Sequence, residues 1–325
     1  MPSIDEVQRS NAALTTSCPE IVAVFVGGTS GVGEESAKRL AKSVQRPVIF
    51  LVGRNEKSAA KIIAEMRVLN LRGTYNFIQC DVSLLRNVDV ACRAIARQAP
   101  VLDLLFLSTG SILVSQEGTA ESLEKNQVER YYARMRFVAN LMPLLKASKS
   151  PRVVSVLLAG YEIELDENDL QYSKPCSSLH GAKHAATMTS LAMEYLAAEN
   201  PSVSFVHVWP GIVKTPLLNR GLGWFFAQHS GQYHVYMATS AIYPPSTPSS
   251  PQDISVSIGG GGKSCIASTG EVGGGSYILN YKGDNVANDK LMAGYRQRGY
   301  PRRIWLHTLD IFQSVLGHSQ SVPDN

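Results

Sequence analysis

No run of about 18 apolar residues occurs in this chain, so no membrane span is predicted. No cleavable leader is evident either. Charge is sparse: 18% of the 325 residues are charged and the net charge is +4. No lysine- or arginine-rich cluster stands out, which argues against nucleic acid as a partner. The five cysteines (Cys18, Cys80, Cys92, Cys176, Cys265) form no CxxC pair. An odd number without that spacing reads as reduced thiols, and a cytoplasmic location is expected. What is abundant is apolar residues, at 44%, enough for a packed core and too many for a disordered chain.

Those apolar residues come in short β-rich runs that alternate with helical patterns. The runs are 21–26, 48–52, 74–79, 102–108, 152–158, 203–209 and 276–281, and the helical segments are 34–45, 55–69, 84–98, 121–148 and 177–199. Nearly continuous apolar strands suit burial on both faces. The order predicts an α/β fold: a Rossmann-type, doubly wound parallel sheet of seven strands in a single domain. Residues 1–20 are polar, without a convincing period, and read as an N-terminal extension to a domain over 21–325. A Pro/Ser/Gly-rich stretch at 243–275 reads as a long flexible insertion or lid. The segment "RRIWLHTLDIFQSVLG" resembles an amphipathic helix that docks on the body or on a partner.

The first strand runs into "VGGTSGVGEESAKRLA". Gly27, Gly31 and Gly33 fall at a strand-to-helix turn, where they let the backbone approach a pyrophosphate and aim helix amides at it. A carboxylate at the end of the second strand would accept the ribose 2′-hydroxyl of NAD. The chain offers Arg54 in "LVGRN" instead, and a guanidinium suits a 2′-phosphate. NADP(H) is therefore the expected cofactor.

With these residues in hand, the chain resembles the short-chain dehydrogenase/reductase family over about 21–220 plus the last strand. "GGTSGVG" is similar to the family's TGxxxGxG, "CDVS" (80–83) to its aspartate segment, and "LSTG" (107–110) stands where NNAG would be. "PGIVKT" (210–215) matches PGxVxT, and "ENDLQYSK" is similar to the retinol-dehydrogenase-like branch. The resemblance implies a cofactor surface made by Gly27, Thr29, Ser30, Gly31, Val32, Gly33, Arg54, Asn55, Asp81, Val82, Ser108, Thr109, Gly110, Lys183, Pro210, Gly211, Val213 and Thr215. Asp81 would sit near the adenine, and Val213 and Thr215 near the nicotinamide amide.

The family's chemistry needs a tyrosine acid, a serine on the substrate carbonyl, a lysine that lowers the tyrosine pKa and often a relay asparagine. Aligned residue by residue, the tyrosine position is Leu179 in "LHGAK", the serine pair is Leu157 and Leu158, and the asparagine is Arg130. Only Lys183 survives. Tyr172 has the wrong spacing to replace the tyrosine.

Four residues are candidates for the catalytic work. Lys183 can hydrogen-bond the cofactor ribose. His180 follows the tyrosine position, about 100° around the helix. Tyr161 lies on the loop that borders the substrate in the family. Arg130 could polarise a carbonyl or enolate. Tyr131, Tyr132 and Arg134 crowd the same part of the helix, where ordinary packing of the tyrosines is the favoured alternative. His180 and His184 share metal-pair spacing, but no HExxH carboxylate or cysteine set accompanies them, and no metal is expected. The aromatic "GLGWFFAQHSGQYHVY" (221–236) is expected to cover an apolar small-molecule substrate.

The leading reading is thus an NADP(H)-dependent oxidoreductase for the carbonyl or enone of an apolar small molecule, of the kind made in secondary metabolism. Two others compete: a non-redox cyclase, dehydratase or isomerase on the same scaffold, and a cofactor-binding pseudoenzyme. A homodimer through the 121–148 and 177–199 helices is expected from family members.

Overall fold

Seven parallel strands form one sheet in the order β3-β2-β1-β4-β5-β6-β7. They are β1 (Glu20–Val26), β2 (Arg46–Gly53), β3 (Thr74–Gln79), β4 (Leu104–Leu107), β5 (Arg152–Val156), β6 (Ser204–Val208) and β7 (Ser276–Leu279). The computed structural model describes residues 2–110, 118–173, 177–211, 223–247 and 264–317, with backbone alone for 223–229. The strand order reverses between β1 and β4: β1 pairs with β2 on one edge and with β4 on the other. That reversal opens a crevice at the carboxyl ends of the strands, where ligands of such sheets bind.

The strands alternate between two cores, as a period of two requires. Val24, Val26, Phe50 and Val52 face a layer that includes Leu85, Leu141, Leu191 and Ile304. Their neighbours Ala23, Phe25, Ile49 and Leu51 face a layer that includes Leu40, Ile62 and Val235. Helices α4 (Leu85–Ala96), α6 (Ala133–Lys146), α7 (Ser178–Glu199) and α10 (Tyr300–Leu316) supply the first layer. Helices α2 (Gly31–Ser43), α3 (Glu56–Leu69) and α8 (Gly223–Thr239) contribute to the second. A short α9 (Asp289–Gln297) precedes α10. No helix among the described residues is long and apolar enough to cross a membrane.

The amino-terminal stretch is helical, contrary to the reading of its pattern. α1 (Ile4–Ser17) starts on a reciprocal capping box between Ser3 and Glu6. Its inner face is Val7, Asn11 and Leu14, so a polar residue interrupts the apolar stripe. Asn11 donates to the Gln232 carbonyl on α8 at 2.9 Å, which gives its amide nitrogen a partner in the interior.

α6 is the last part of one helical rod. It begins with α5 (Lys125–Gln127), widens into a π-turn over Val128–Tyr132, and continues as α6. Such widened turns often mark functional sites.

The described stretch before 248–263 meets the amino ends of β5 and β6, whereas the crevice lies at the carboxyl ends. The fully buried Arg152, first residue of β5, donates to the carbonyls of Met237, Ser240 and Tyr243 at 2.8–2.9 Å. Ser204, first residue of β6, donates to the Tyr243 carbonyl as well, at 2.8 Å. Cys265 then returns, its amide on the Ile242 carbonyl at 2.7 Å.

Candidate active site

The turn after β1 is shaped by what its glycines exclude. A Cβ at Gly33 would lie 2.5 Å from Ser108 Oγ and 2.6 Å from the Gly27 carbonyl oxygen, so the first turn of α2 presses directly on β4. Gly31 has the left-handed φ of +57°, and a Cβ there would meet nothing within 4 Å. The open space therefore faces Gly31. Ser30, the residue before α2, makes no side-chain cap bond, so the first amides of α2 are left without a side-chain acceptor. Uncommitted amides at a helix start beside open space suit a phosphate group. The residues present fit a dinucleotide.

The other predicted cofactor residues gather on the same sheet edge. Thr29 covers Gly53 at the end of β2, and the exposed Arg54 follows it. Arg54's side chain makes no hydrogen bond or ion pair among the described residues. Its carbonyl accepts from Gln79 Nε2 at 3.2 Å, which fixes the backbone of that corner. Asn55 caps α3, its Oδ1 accepting from the Ser58 amide at 3.0 Å. Asp81 accepts from the Ser83 amide at 3.1 Å, and Val82 is buried beside it. Ser108 donates to the Val26 carbonyl at 3.2 Å, and Thr109 donates to the Glu129 carbonyl at 3.0 Å. Gly110 ends the described part of that loop, with φ at +147°. Pro210 and Gly211 follow β6, while Val213 and Thr215 lie outside the described residues.

Arg134 holds this edge together from inside. It is fully buried and donates to Ser155 Oγ at 2.7 Å, to the Val156 carbonyl at 2.8 Å, and to the carbonyl of Thr109. One guanidinium thus ties the end of β5 to the loop after β4. Burial lowers its pKa from the usual arginine range to about 9, the neighbouring Arg130 adding to the shift. The sequence shows an arginine in the middle of a helix. Only the fold shows that it points into the sheet.

Around the expected reaction centre, α7 carries the aligned residues on one side. Leu179 and Lys183 are four apart, and Leu179 is 62% exposed. Lys183 makes no hydrogen bond or ion pair among the described residues through its ammonium. Leu157 and Leu158 follow β5 where a hydroxyl pair was sought, and they are partly buried. Tyr161 is 41% exposed and sets its ring edge-on to Trp209, with centroids 5.2 Å apart. Trp209 in turn meets Tyr281 at 6.0 Å. Three aromatic rings from the ends of β5, β6 and β7 therefore line the mouth.

The two histidines clasp a phenol rather than prepare a metal site. The ring of Tyr172 stacks on His180 at 5.6 Å and lies 5.0 Å from His184. Its hydroxyl sits 3.1 Å from His180 Nδ1 and donates to the Ser177 carbonyl at 3.1 Å. His184 is buried, with Gln127 Nε2 at 3.0 Å from Nδ1, and burial drops its pKa to about 4. No group of histidine, cysteine and acidic residues among the described residues could hold a metal ion. Arg130 commits its guanidinium to Ser178, donating to the hydroxyl at 2.8 Å and to the carbonyl at 3.1 Å. Tyr131 and Tyr132 are packed in the core, as their pattern suggested.

The segment at 221–236 is only partly described. Tyr236 lies in the second core layer and the partly buried Tyr233 packs against it; the side chains of Trp224, Phe225 and Phe226 lie outside the described residues.

The profile of the family described as short chain dehydrogenase matches residues 21–221, well over half of the chain. The chain belongs to the short-chain dehydrogenase/reductase family. Members of this family use nicotinamide cofactors, in keeping with the phosphate-ready turn above. An oxidoreductase of Emericella variicolor, andH, is 57% identical over 98% of this chain and 99% of its own. Oxidoreductase AN1596 of Emericella nidulans is 40% identical over 97% of this chain and 99% of its own. Among solved structures, an uncharacterised Mycobacterium paratuberculosis protein aligns with a TM-score of 0.54 at 19% identity, covering 67% of this chain and 76% of its own. That likeness is one of fold. The family's TGxxxGxG thus keeps its three glycines at the dinucleotide turn, with Val26 in place of the first threonine, while leucines stand at the tyrosine and serine positions.

Proposed function

We propose that this chain is an NADP(H)-dependent reductase of a carbonyl or enone in an apolar small molecule, one of the kind assembled in fungal secondary metabolism. The observation that carries the reading is the uncapped start of α2 facing open space, with Arg54 uncommitted at the end of β2. When bound, a reduced nicotinamide would supply a hydride. The α2 amides would hold the pyrophosphate, Arg54 the 2′-phosphate, and Lys183 the ribose.

The chain must also deliver a proton to the substrate oxygen, because hydride addition leaves an oxyanion there. Leu179 and Leu158 cannot. His180 is the group best arranged to replace them: it is exposed, follows Leu179 directly, and has Nδ1 held by the Tyr172 hydroxyl. A base or acid oriented by a third group is the usual arrangement for such work. Tyr161 is the second candidate. The aromatic rims of Trp209 and Tyr281 favour a substrate with apolar rings.

The test is a titration with NADPH and NADH followed by turnover of a panel of ketones and enones. A protein that binds neither dinucleotide sinks the reading at its first step. The leucines at 158 and 179 also support a second reading, a non-redox isomerase or cyclase on the same scaffold. Product mass separates the two: reduction adds two mass units and consumes NADPH, whereas isomerisation does neither.

A further inference from the structure

We propose that Tyr131 and Thr308 are a positioning pair, through which α10 sets the shape of the π-turn at the edge of the active site. The inference rests on the reading that the loop 107–110 and the first turn of α7 border the cofactor.

Consecutive residues of the π-turn point to different elements. Glu129 gives its carbonyl to the Thr109 hydroxyl at 3.0 Å, in the loop after β4. Arg130 reaches the first turn of α7 at Ser178. Tyr131 and Tyr132 reach α10: the Tyr131 hydroxyl lies 2.6 Å from Thr308 Oγ1, and that of Tyr132 lies 2.9 Å from His307 Nε2. A five-residue turn is thus held from three sides at once.

The direction of the Tyr131 bond follows from hydrogen supply. Thr308 has one hydroxyl hydrogen and donates it to the Ile304 carbonyl at 2.8 Å. Tyr131 is therefore the donor to Thr308. Both residues are fully buried, so water cannot replace the acceptor. Losing it would leave a phenol hydrogen unpaired in the core, and the cheapest relief is movement of the turn that carries it.

The α10 half of the clamp lies outside the stretch that matches the family profile, while Tyr131 lies inside it. That stretch ends at residue 221, whereas α10 begins at Tyr300. The two similar fungal oxidoreductases match over nearly their whole length, so they share an equivalent of this region. A family core, with its relay position occupied by Arg130, here carries an added helix bolted to the turn that holds that arginine.

The experiment compares Thr308→Val, which keeps the shape and loses the acceptor, with Thr308→Ser, which keeps the acceptor. Amide hydrogen exchange is measured on the full chain. Thr308→Val is expected to speed exchange about tenfold in 128–134 and also in 107–110 and 178–181, with α3 unchanged. Thr308→Ser is expected to stay close to wild type in all of them. Faster exchange confined to α10 and 128–134 would overturn the proposal, as would a uniform rise that includes α3 or an equal effect of serine. NADPH titration of the wild type runs alongside. Failure to bind would remove the reductase reading, while the exchange comparison would still decide the clamp.

Discussion

The proposed preference for NADPH over NADH rests on one side chain, Arg54. Charge-assisted bonds to a phosphate contribute about 1.5–3 kcal/mol, or roughly 10–100-fold in affinity. Arg54→Ala is therefore expected to weaken NADPH by about that factor and leave NADH within about twofold, by fluorescence titration. Equal loss of both would mean that Arg54 never touches the 2′-phosphate. Gly33 gives a second prediction at this scale. An added methyl would press on the Gly27 carbonyl and Ser108 Oγ at 2.5–2.6 Å, closer than real contacts allow. Gly33→Ala should lower the melting temperature and abolish dinucleotide binding, whereas a merely solvent-facing turn would tolerate it. His180 supplies the third. His180→Ala should reduce turnover about 10²–10⁴-fold with little change in NADPH affinity, as expected for loss of a general acid.

At the scale of elements, α1 shows what pattern reading can and cannot find. The inner strands were legible because burial on both faces forces nearly unbroken apolar runs, and the half-exposed edge strand β3 was legible from its β-forming Thr74, Tyr75, Phe77 and Ile78. α1 was not: its inner face spends one position on Asn11, whose partner Gln232 lies 221 residues away. Nothing local announces that an asparagine there is buried. The site divides in the same way. The dinucleotide turn depends on neighbours in sequence, and its glycines could be read. The grip of Tyr172 on His180 and His184, the sheet-facing Arg134 and the contact between the π-turn and α10 are all made by folding distant segments together. Deleting residues 2–17 would expose the ground under Val7 and Leu14. Each buried apolar side chain contributes about 1.5–3 kcal/mol, so the melting temperature should fall by roughly 5–10 °C. An unchanged melting curve would show that α1 is not docked in solution.

The molecule as a whole carries a proton linkage that its composition does not reveal. Burial holds His184 and His234 at about 4 and His207 at about 3. Each takes up its proton in the unfolded chain near pH 6.5 but stays neutral when folded. The unfolded state thus binds more protons, and each histidine costs stability as pH falls from about 6.5 toward its folded value. Burial raises the carboxyls of Glu162 and Glu194, which act in the opposite sense above the usual carboxylate range. His234 stands apart from those carboxylates, with Nδ1 on the Ser230 carbonyl at 2.7 Å. His234→Gln should therefore gain on wild type by about 1.4 kcal/mol per pH unit between pH 6 and 4.5, read from urea unfolding. A pH-independent difference would place His234 in water.

The three carbonyls gathered by Arg152 have a practical consequence. Thr247 donates its amide to the Pro201 carbonyl at 2.8 Å and Cys265 donates to the Ile242 carbonyl at 2.7 Å, so backbone bonds anchor both described flanks of 248–263. The bonds from Arg152 and Ser204 place the Tyr243 carbonyl at the amino ends of β5 and β6, whereas the crevice lies at the carboxyl ends. A reporter domain or immobilisation tag spliced into 248–263 would therefore start from anchored chain on both sides. The tagged protein should bind dinucleotide as tightly as the untagged one, which would make it usable for ligand screening on a surface.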